Sequence, residues 1–358
     1  TTLLKCVHVV CHLALCLGAS KLCQPFNQST KGEMSAHWTP VQVSIDDTEK
    51  LISVIKTAGR EDGIFVITDI ADSSLLSNVR KVFDRLQIPA NETMIDELNR
   101  AYTANLVFKD SAQLQKQNGF CPLQIDNKKA FDLSPARISI INGYNPALLK
   151  SLGPELSSSL NFFDSLKTSV VTKILSALCT ASGVAPMKAG HVNFNYRMLD
   201  YQNVSNKAAP RCGEHRDFGL FTLIFQDETG GLQIQREDGQ WHPVPADGHS
   251  AICLFGWSAQ IITNRRIKAT KHRVVSAESG LRRNSAVLFV APNPEQVLVP
   301  AVKPNEKRHY ANIKVSELKE QMRNAWQMRE GTLSKNGQVS FQKNVKKSQA
   351  DVLDTITL

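Results

Sequence analysis

Gly213-Glu214-His215-Arg216-Asp217-Phe218-Gly219 and, far downstream, Lys271-His272-Arg273-Val274 hold the residues of this chain best suited to chemistry. Two imidazoles and one carboxylate form a set that binds a non-haem ferrous ion on one face and leaves the opposite face open. An open face is what such an ion needs to take up a cosubstrate and dioxygen. His215 and Asp217 are two positions apart, so on a strand their side chains share a face and can reach one ion. His272 follows after 54 intervening residues and has to arrive from another strand. Gly213 and Gly219 flank the pair and let the backbone turn around it. A His-x-Asp pair alone is a weak motif, because chance supplies it freely. Its setting strengthens it. An apolar strand, Leu220 to Phe225, follows directly, and Arg283-Asn284-Ser285 begins eleven residues beyond His272. On a strand Arg283 and Ser285 face the same way and make a two-point clamp for a carboxylate, the guanidinium supplying paired donors.

Such a centre needs strands that bring distant residues together. From His191 to Ala291 the chain consists of short strands separated by Gly, Asp, Asn and Pro, as in Gly230-Gly231-Leu232-Gln233-Ile234-Gln235, a turn at Asp238-Gly239, and Trp241-His242-Pro243-Val244. That texture predicts a sandwich or jelly roll. Upstream, Pro40–Ile45 alternates like a strand, and Asp46 or Asp47 caps a helix with Leu51, Ile52 and Ile55 inward. Gly59 is expected to close that helix, and Gly63–Ile67 reads as a second strand. A helix is expected from Leu75 to Leu86, and irregular chain over residues 100–145. Residues 155–182 carry the strongest helical pattern, with Leu156, Leu160, Phe163, Leu166, Val170, Ile174, Leu178 and Ala181 at three- and four-residue steps and Gly183 where a C-terminal cap belongs. This stripe is packing. A last helix is expected from Ser316 to Glu330, with Leu318, Met322 and Trp326 inward. The final 25 residues are polar and expected to be mobile. His191, His242 and His249 are not needed as ligands.

With 358 residues, 42% hydrophobic and 21% charged, the composition is that of a globular protein. The net charge of +9 raises the question of nucleic acid. The basic residues are scattered, and neither helix-turn-helix nor zinc-finger spacing is present, so no nucleic-acid partner is expected. Eight cysteines occur without a Cys-x-x-Cys pair, four of them within the first 23 residues, which is not a disulfide framework and suits a reducing compartment. Residues 1–36 read as a leader or disordered tail: the first 32 contain no Asp or Glu, and Val7 to Ala19 is mildly apolar. The run is too short and polar to span a membrane, and no membrane partner is expected. Asn27, Asn91 and Asn203 begin Asn-x-Ser/Thr triplets that would matter only in a secreted protein. The expected location is the cytoplasm, or an organelle if residues 1–36 are a targeting leader.

Residues 37 to about 330 resemble the 2-oxoglutarate- and Fe(II)-dependent dioxygenases, in the branch that includes isopenicillin N synthase. The matching pieces, in order, are Pro40–Ile45, Gly63-Ile64-Phe65-Val66, the long helix, His215-x-Asp217, Gly230-Gly231-Leu232-Gln233, Asp238-Gly239-x-Trp241, Thr263-Asn264, Lys271-His272-Arg273-Val274 and Arg283-x-Ser285. The resemblance implies a mainly β fold with flanking helices (α+β) around a distorted double-stranded β-helix, or jelly roll. It implies an α/β cap and scaffold helix over residues 37–185, a catalytic core over 186–300, and a C-terminal helix and tail over 301–358. It implies Fe(II) held by His215, Asp217 and His272, and the C5 carboxylate of 2-oxoglutarate held by Arg283 and Ser285, with dioxygen as the other cosubstrate and ascorbate as reductant.

The sequence departs from the family in two places. Members often carry Asn-x-Tyr before the metal motif, whereas here the strand reads Asn193-Phe194-Asn195-Tyr196-Arg197-Met198. Alternation puts Asn193, Asn195 and Arg197 on one face and Arg197 where the Tyr would stand. Arg197, with Asn195, is then either a cation near the iron, binding cosubstrate or a substrate carboxylate, or part of a surface salt bridge. The usual Gly-Asp before the second histidine is Gly256-Trp257, with Trp257 expected to pack or, as the alternative, to form a pocket wall. The expected activity is oxidation of a C–H bond of a small, carboxylate-bearing metabolite by a monomer: hydroxylation, desaturation or ring closure, including the kainoid-type cyclisations of natural-product biosynthesis. Two alternatives stand beside it. One is an iron oxidase independent of 2-oxoglutarate, against which the clamp argues. The other is a silent binding protein, whose mark would be a lost metal ligand.

Overall fold

Strands whose two faces are both apolar organise the structure, a computed structural model that describes residues 38–70, 72–101, 108–110, 128–144, 146–202, 210–276, 281–330, 332–333 and 339–340. The leader expected over residues 1–36 and nearly all of the C-terminal tail lie outside the described residues. In chain order the strands are β1 (Gln42–Ser44), β2 (Ile64–Thr68), β3 (Phe108–Asp110), β4 (Lys129–Asp132), β5 (Val192–Tyr201), β6 (Pro210–His215), β7 (Phe221–Gln226), β8 (Leu232–Gln235), β9 (Trp241–Pro243), β10 (Ala251–Phe255), β11 (His272–Val275) and β12 (Arg283–Pro292). Eight form a sheet in the order β1-β2-β10-β7-β12-β5-β4-β3, and four form a smaller sheet in the order β6-β11-β8-β9. Apart from the parallel β1–β2 pair, the neighbours in these two sheets run antiparallel. The result is a jelly roll with flanking helices rather than a closed barrel. Since β1 to β4 pair into the large sheet, that sheet crosses the expected boundary between residues 185 and 186.

Period-two alternation sorts the core into two layers. Phe65, Ile67, Leu223, Cys253, Leu288 and Val290 project from the large sheet toward the helices. Ile64, Val66, Ile224, Ile252, Leu254 and Val287 project the other way, where they meet Cys212, Leu232, Ile234 and Val274 of the small sheet. Covering on both faces is why β7 and β10 are buried along their whole length.

The helix over residues 155–182 is present but not uniform. It runs as an α-helix over Pro154–Leu166, a π segment over Lys167–Val171 and an α-helix over Thr172–Ser182, and Gly183 caps it in the left-handed region at φ 68°. In an unbroken α-helix adjacent residues diverge by about 100°; the wider π turn accommodates Val170 and Val171 both on the buried side. Phe163 stacks on Tyr196 at 4.9 Å between ring centroids, and the Tyr196 hydroxyl donates to Asp164 Oδ1 at 2.8 Å, which locks this helix onto β5.

Other expectations are met or corrected locally. Asp47 caps the helix Thr48–Glu61 by accepting from the Lys50 N–H at 3.0 Å. Gly59 does not close this helix but lies within it, because a Cβ there would press on Ile267 and Phe255; the chain reverses at Gly63, φ 72°. The helix Leu75–Leu86 is as expected. Residues 100–145 are not irregular throughout: they contain β3, β4 and the helix Pro135–Tyr144. Strands of three and four residues are too short to show a period, and that helix, with Ile138, Ile140 and Ile141, has no clean polar face. Helices Pro89–Ala101 and Pro146–Ser151 were not anticipated. The last helix spans Val315–Glu330 with Leu318 and Met322 buried, while the Trp326 side chain lies outside the described set. Asn91 is buried, donates to the Arg85 carbonyl at 2.8 Å and accepts from Ser151, an environment closed to a glycan. Among the described residues Cys179, Cys212 and Cys253 are buried and outside any disulfide, and no helix is long and apolar enough to cross a membrane.

If Phe163 anchors the scaffold helix, Phe163→Ala should cost about 3–5 kcal/mol. Leu160→Ala, at a partly buried position of the same helix, should cost clearly less, both read from urea midpoints.

Candidate metal centre

Antiparallel pairing of β11 with β6 sets His272 directly opposite His215, and the register shifts by a bulge beyond that pair. Asp217 follows β6 on the segment that turns into β7. The three side chains converge: His215 Nε2 lies 3.6 Å and His272 Nε2 4.0 Å from Asp217 Oδ1, and the two rings are 4.2 Å apart between centroids. All three ligand atoms fall within 4.8 Å of one another.

Each ligand is oriented by an outer contact. His215 Nδ1 lies 2.7 Å from the Gly213 carbonyl and His272 Nδ1 3.2 Å from the Thr270 carbonyl, so both rings donate through Nδ1 and turn Nε2 toward the centre. The Thr222 hydroxyl donates to Asp217 Oδ2 at 2.5 Å, which leaves Oδ1 facing the histidines. Burial, together with the neighbouring His272, holds the His215 pKa well below its ordinary value. Burial alone would raise the Asp217 pKa, but His272, His215, the Thr222 hydroxyl and Arg197 outweigh it and lower it. A neutral His215 imidazole beside an ionised Asp217 carboxylate is the pairing of protonation states that a divalent ion requires. Two nitrogen donors and one oxygen donor on one side of a buried point fit Fe(II) with open positions opposite.

Close backbone approach holds Asp217 in place. A Cβ on Gly256 would collide with the Gly219 and Asp217 carbonyls, and one on Gly219 with the Val290 carbonyl. Gly219 thus serves contact rather than the turn expected of it, and Gly213 contributes its carbonyl. Trp257 is buried as expected; its backbone N–H donates to the Asp217 carbonyl at 2.9 Å and its ring lies under the Arg216 guanidinium. Away from this cluster, His242 contacts Asp238 and Trp38.

The ladder registers arrange the remaining inward-facing residues in rows across β5, β12 and β7. Asn195, Phe289 and Thr222 form the row beside Asp217; Arg197, Val287 and Ile224 form the next; Leu199, Ser285 and Gln226 form the third. Arg283 and Tyr201 pair one step further. Arg283 is 1% exposed and stacks on Tyr201 at 4.7 Å, and it donates to Gln226 Oε1 at 2.9 Å and to Ser285 Oγ at 3.3 Å. Its Nε–H is buried without a partner. Arg283 and Ser285 therefore share the inner face, and neither meets a carboxylate among the described residues.

Arg197 and Asn195 also face inward, in a network centred on Asp132 rather than at the surface. Arg197 grips Asp132 with two bonds, Nε to Oδ1 at 2.5 Å and Nη2 to Oδ2 at 3.1 Å, and stacks on Phe289 at 5.1 Å. Asn195 accepts from Arg137 at 3.3 Å and donates to Asp132 at 3.5 Å, and Arg137 Nη2 stands 3.9 Å from Asp132. Asp132 is 0% exposed. Thr222, Gln226, Asp132 and Arg137 were missed in the sequence. Thr222 and Gln226 did leave a signal: they are polar residues four apart, on one face of an otherwise apolar strand.

Comparison with known proteins agrees with this architecture. Residues 190–292 match the sequence profile of the 2OG-Fe(II) oxygenase superfamily. Scopoletin 8-hydroxylase of Arabidopsis thaliana is 35% identical over 88 residues, 25% of this chain and 24% of that protein. The 2-oxoglutarate-dependent dioxygenase htyE of Aspergillus rugulosus is 36% identical over 121 residues, 32% of this chain and 37% of that protein. The chain thus spans about a quarter to just over a third of the length of these curated relatives. Among solved structures, a 2OG-Fe(II) oxygenase family protein of Caulobacter crescentus superimposes with a TM-score of 0.62 at 20% identity, covering 81% of this chain and 99% of that one. A Neurospora crassa protein solved in complex with alpha-KG and thymine gives 0.60 at 21% identity, covering 78% and 96%. At these identities the likeness is one of fold.

If Thr222 orients the carboxylate ligand, Thr222→Val should weaken Fe(II) binding by about 10–100-fold, measured by anaerobic metal titration, with the fold intact by circular dichroism. The lowered His215 pKa has a consequence for the metal-free protein. The unfolded chain takes up a proton below the ordinary imidazole value while the folded chain does not, so stability should fall as pH drops below that value. His215→Gln should flatten that part of the profile of urea midpoint against pH.

Proposed function

We propose that this chain, which belongs to the 2OG-Fe(II) oxygenase superfamily, is a dioxygenase that oxidises a C–H bond of a small, carboxylate-bearing molecule. The observation that carries the reading is the convergence of His215, Asp217 and His272 on one buried point, with Arg283 and Ser285 on the same inner face. His215 Nε2, His272 Nε2 and Asp217 Oδ1 would hold the iron. The Arg283 guanidinium and Ser285 hydroxyl would take the distal carboxylate of 2-oxoglutarate, with Gln226 steadying Arg283. With Fe(II) and 2-oxoglutarate bound, the centre supplies oxidative decarboxylation of the cosubstrate to succinate and carbon dioxide, coupled to oxidation of the substrate. Val287 and Ile224, in the row between the clamp and the metal that also carries Arg197, would help to keep water from that space.

The substrate class follows from charge. Arg197 and Arg137 face the single carboxylate of Asp132, so two guanidinium groups share one negative charge. An anionic substrate group would balance the excess. Hydroxylation, desaturation and ring closure differ in where the substrate's carbon sits, and the rows of side chains do not choose among them.

With ferrous iron and ascorbate under air, the protein should convert 2-oxoglutarate to succinate; release no faster than from a boiled control would defeat the reading. Arg283→Ala should raise the 2-oxoglutarate requirement by about 10–100-fold, the cost of losing hydrogen bonds to a charged group. In a screen of small carboxylic acids, those that stimulate succinate release should lose that effect as their methyl esters. Stimulation retained by the esters would remove the carboxylate from the substrate's description.

A further inference from the structure

Arg211, on β6, is the most deeply buried cation that the reaction described above does not use. It is 1% exposed, like Arg283. Among the described residues its hydrogen bonds go to neutral acceptors: Nη1 donates to the Tyr201 carbonyl at 3.0 Å, and Nη2 to the Leu281 carbonyl at 3.1 Å and Ser276 Oγ at 3.5 Å. Its Nε–H, like that of Arg283, is buried without a partner. Neither arginine makes an ion pair among the described residues.

The two guanidinium groups gather around one residue, since Arg283 stacks on the ring of Tyr201 while Arg211 holds its carbonyl. Leu281, whose carbonyl Arg211 also binds, precedes Arg283 by two residues. They are close enough to repel: burial and the Arg283 charge both lower the Arg211 pKa. The nearest carboxylates are engaged elsewhere. Asp200 is gripped by Arg282 at 2.7 and 3.1 Å, and Asp227 accepts from the Asn284 N–H at 2.6 Å and lies 3.9 Å from Arg80. Burying one unpaired charge is costly, and burying two of like sign side by side more so. Such a pair is tolerated where an anion completes it.

We infer that Arg211 is a second cationic determinant of the cosubstrate site, acting through space on the Arg283–Ser285 clamp so that the protein selects an oxoacid with a distal carboxylate over one without. This rests on the reading of Arg283 and Ser285 as that clamp. Arg211 need not touch the ligand: its bonds to Tyr201, Ser276 and Leu281 fix it, and its charge deepens the positive potential in which the distal carboxylate sits.

The test compares 2-oxoglutarate with 2-oxopentanoate, which has the same chain length but ends in a methyl group. Dissociation constants are measured by titration calorimetry on Fe(II)-loaded protein under nitrogen. Arg211→Gln should weaken 2-oxoglutarate about tenfold or more, the scale of a charge-assisted contact, and leave 2-oxopentanoate within about twofold. Arg211→Lys, which keeps the charge, should retain most of the wild-type preference. Equal weakening of both oxoacids by Arg211→Gln, or a Lys variant as poor as the Gln variant, would mean that Arg211 only braces the strands, and would overturn the inference. Ser276→Asp places a carboxylate beside Arg211 without removing it and decides the matter if the Arg211 variants do not fold: the preference should drop, and an unchanged preference overturns the inference. Should wild-type protein itself fail to prefer 2-oxoglutarate, the clamp reading falls first and this inference with it.

Discussion

The register of β11 on β6 is the constraint on which the centre depends. His272 stands opposite His215 in that antiparallel ladder, and both side chains face the interior between the sheets. A slip of one residue would carry His272 to the outer face and bring Arg273 in, because side chains alternate along a strand. Nothing in the metal ligands themselves prevents the slip. Val274 does, with Leu232 and Ile234 of β8 beside it: these apolar residues are buried in the layer between the sheets only in the observed register. Hydrophobic burial thus fixes the position of a polar site, and the Thr270, Gly213 and Thr222 contacts then fix its orientation.

The same logic governs the large sheet. Its inner face carries apolar residues at most positions, and polar ones are confined to adjoining rows of β4, β5, β12 and β7. Asn195 and Thr222 lie at one end, Ser285, Gln226 and Arg283 at the other, with Val287 and Ile224 between. The row beside Asp217 and the Arg283–Ser285 pair are thus separated by one row, in which Arg197 stands beside Val287 and Ile224. The large sheet can hold this layout because its other face is anchored by the scaffold helix through Phe163, Tyr196 and Asp164, which keeps β5 flush with β12.

How far this was legible in the sequence depends on the kind of signal. Arg283 and Ser285 are two apart on β12, and His215 and Asp217 straddle the end of β6; the spacing suggested a shared face, and the structure brings each pair to the inner face although Asp217 lies just beyond its strand. His272 could be placed only through the order and gaps of the other motifs, since no local pattern reports a contact across 54 residues. Asp132 and Arg137 were illegible for a plainer reason. They lie in and just after a four-residue strand, where no period can be read, and their meaning arises only when β4 pairs with β5 and sets Asp132 beside Arg197. Helix limits failed where a residue served tertiary contact rather than local conformation. Gly59 looked like a terminator and proved to be a point of close approach, and the π turn at Lys167–Val171 reflects the surface the helix packs against.

Charge balance ties the centre to its ligands. The interior buries or half-buries Arg283, Arg211, Arg197 and Arg137, and among the described residues the carboxylate that forms an ion pair with any of them is Asp132. Among the described residues Asp132 pairs with Arg197, and on the side of Tyr201 Asp200 and Asp227 act on Arg211 from a distance without forming an ion pair with it. A closed sandwich would ordinarily pair such charges internally or exclude them. That Arg283 and Arg211 form no ion pair among the described residues suits a fold whose ligands enter as anions, because the desolvation already imposed on the guanidinium groups need not be met again on binding. The pre-set positive interior favours an anionic occupant over a neutral one, and it holds the donors fixed before any ligand arrives. On this view the excess of cations is not a defect that the fold tolerates. It is the electrostatic counterpart of the open face at the metal, and the two together specify an occupant that is negative at one end and able to chelate at the other.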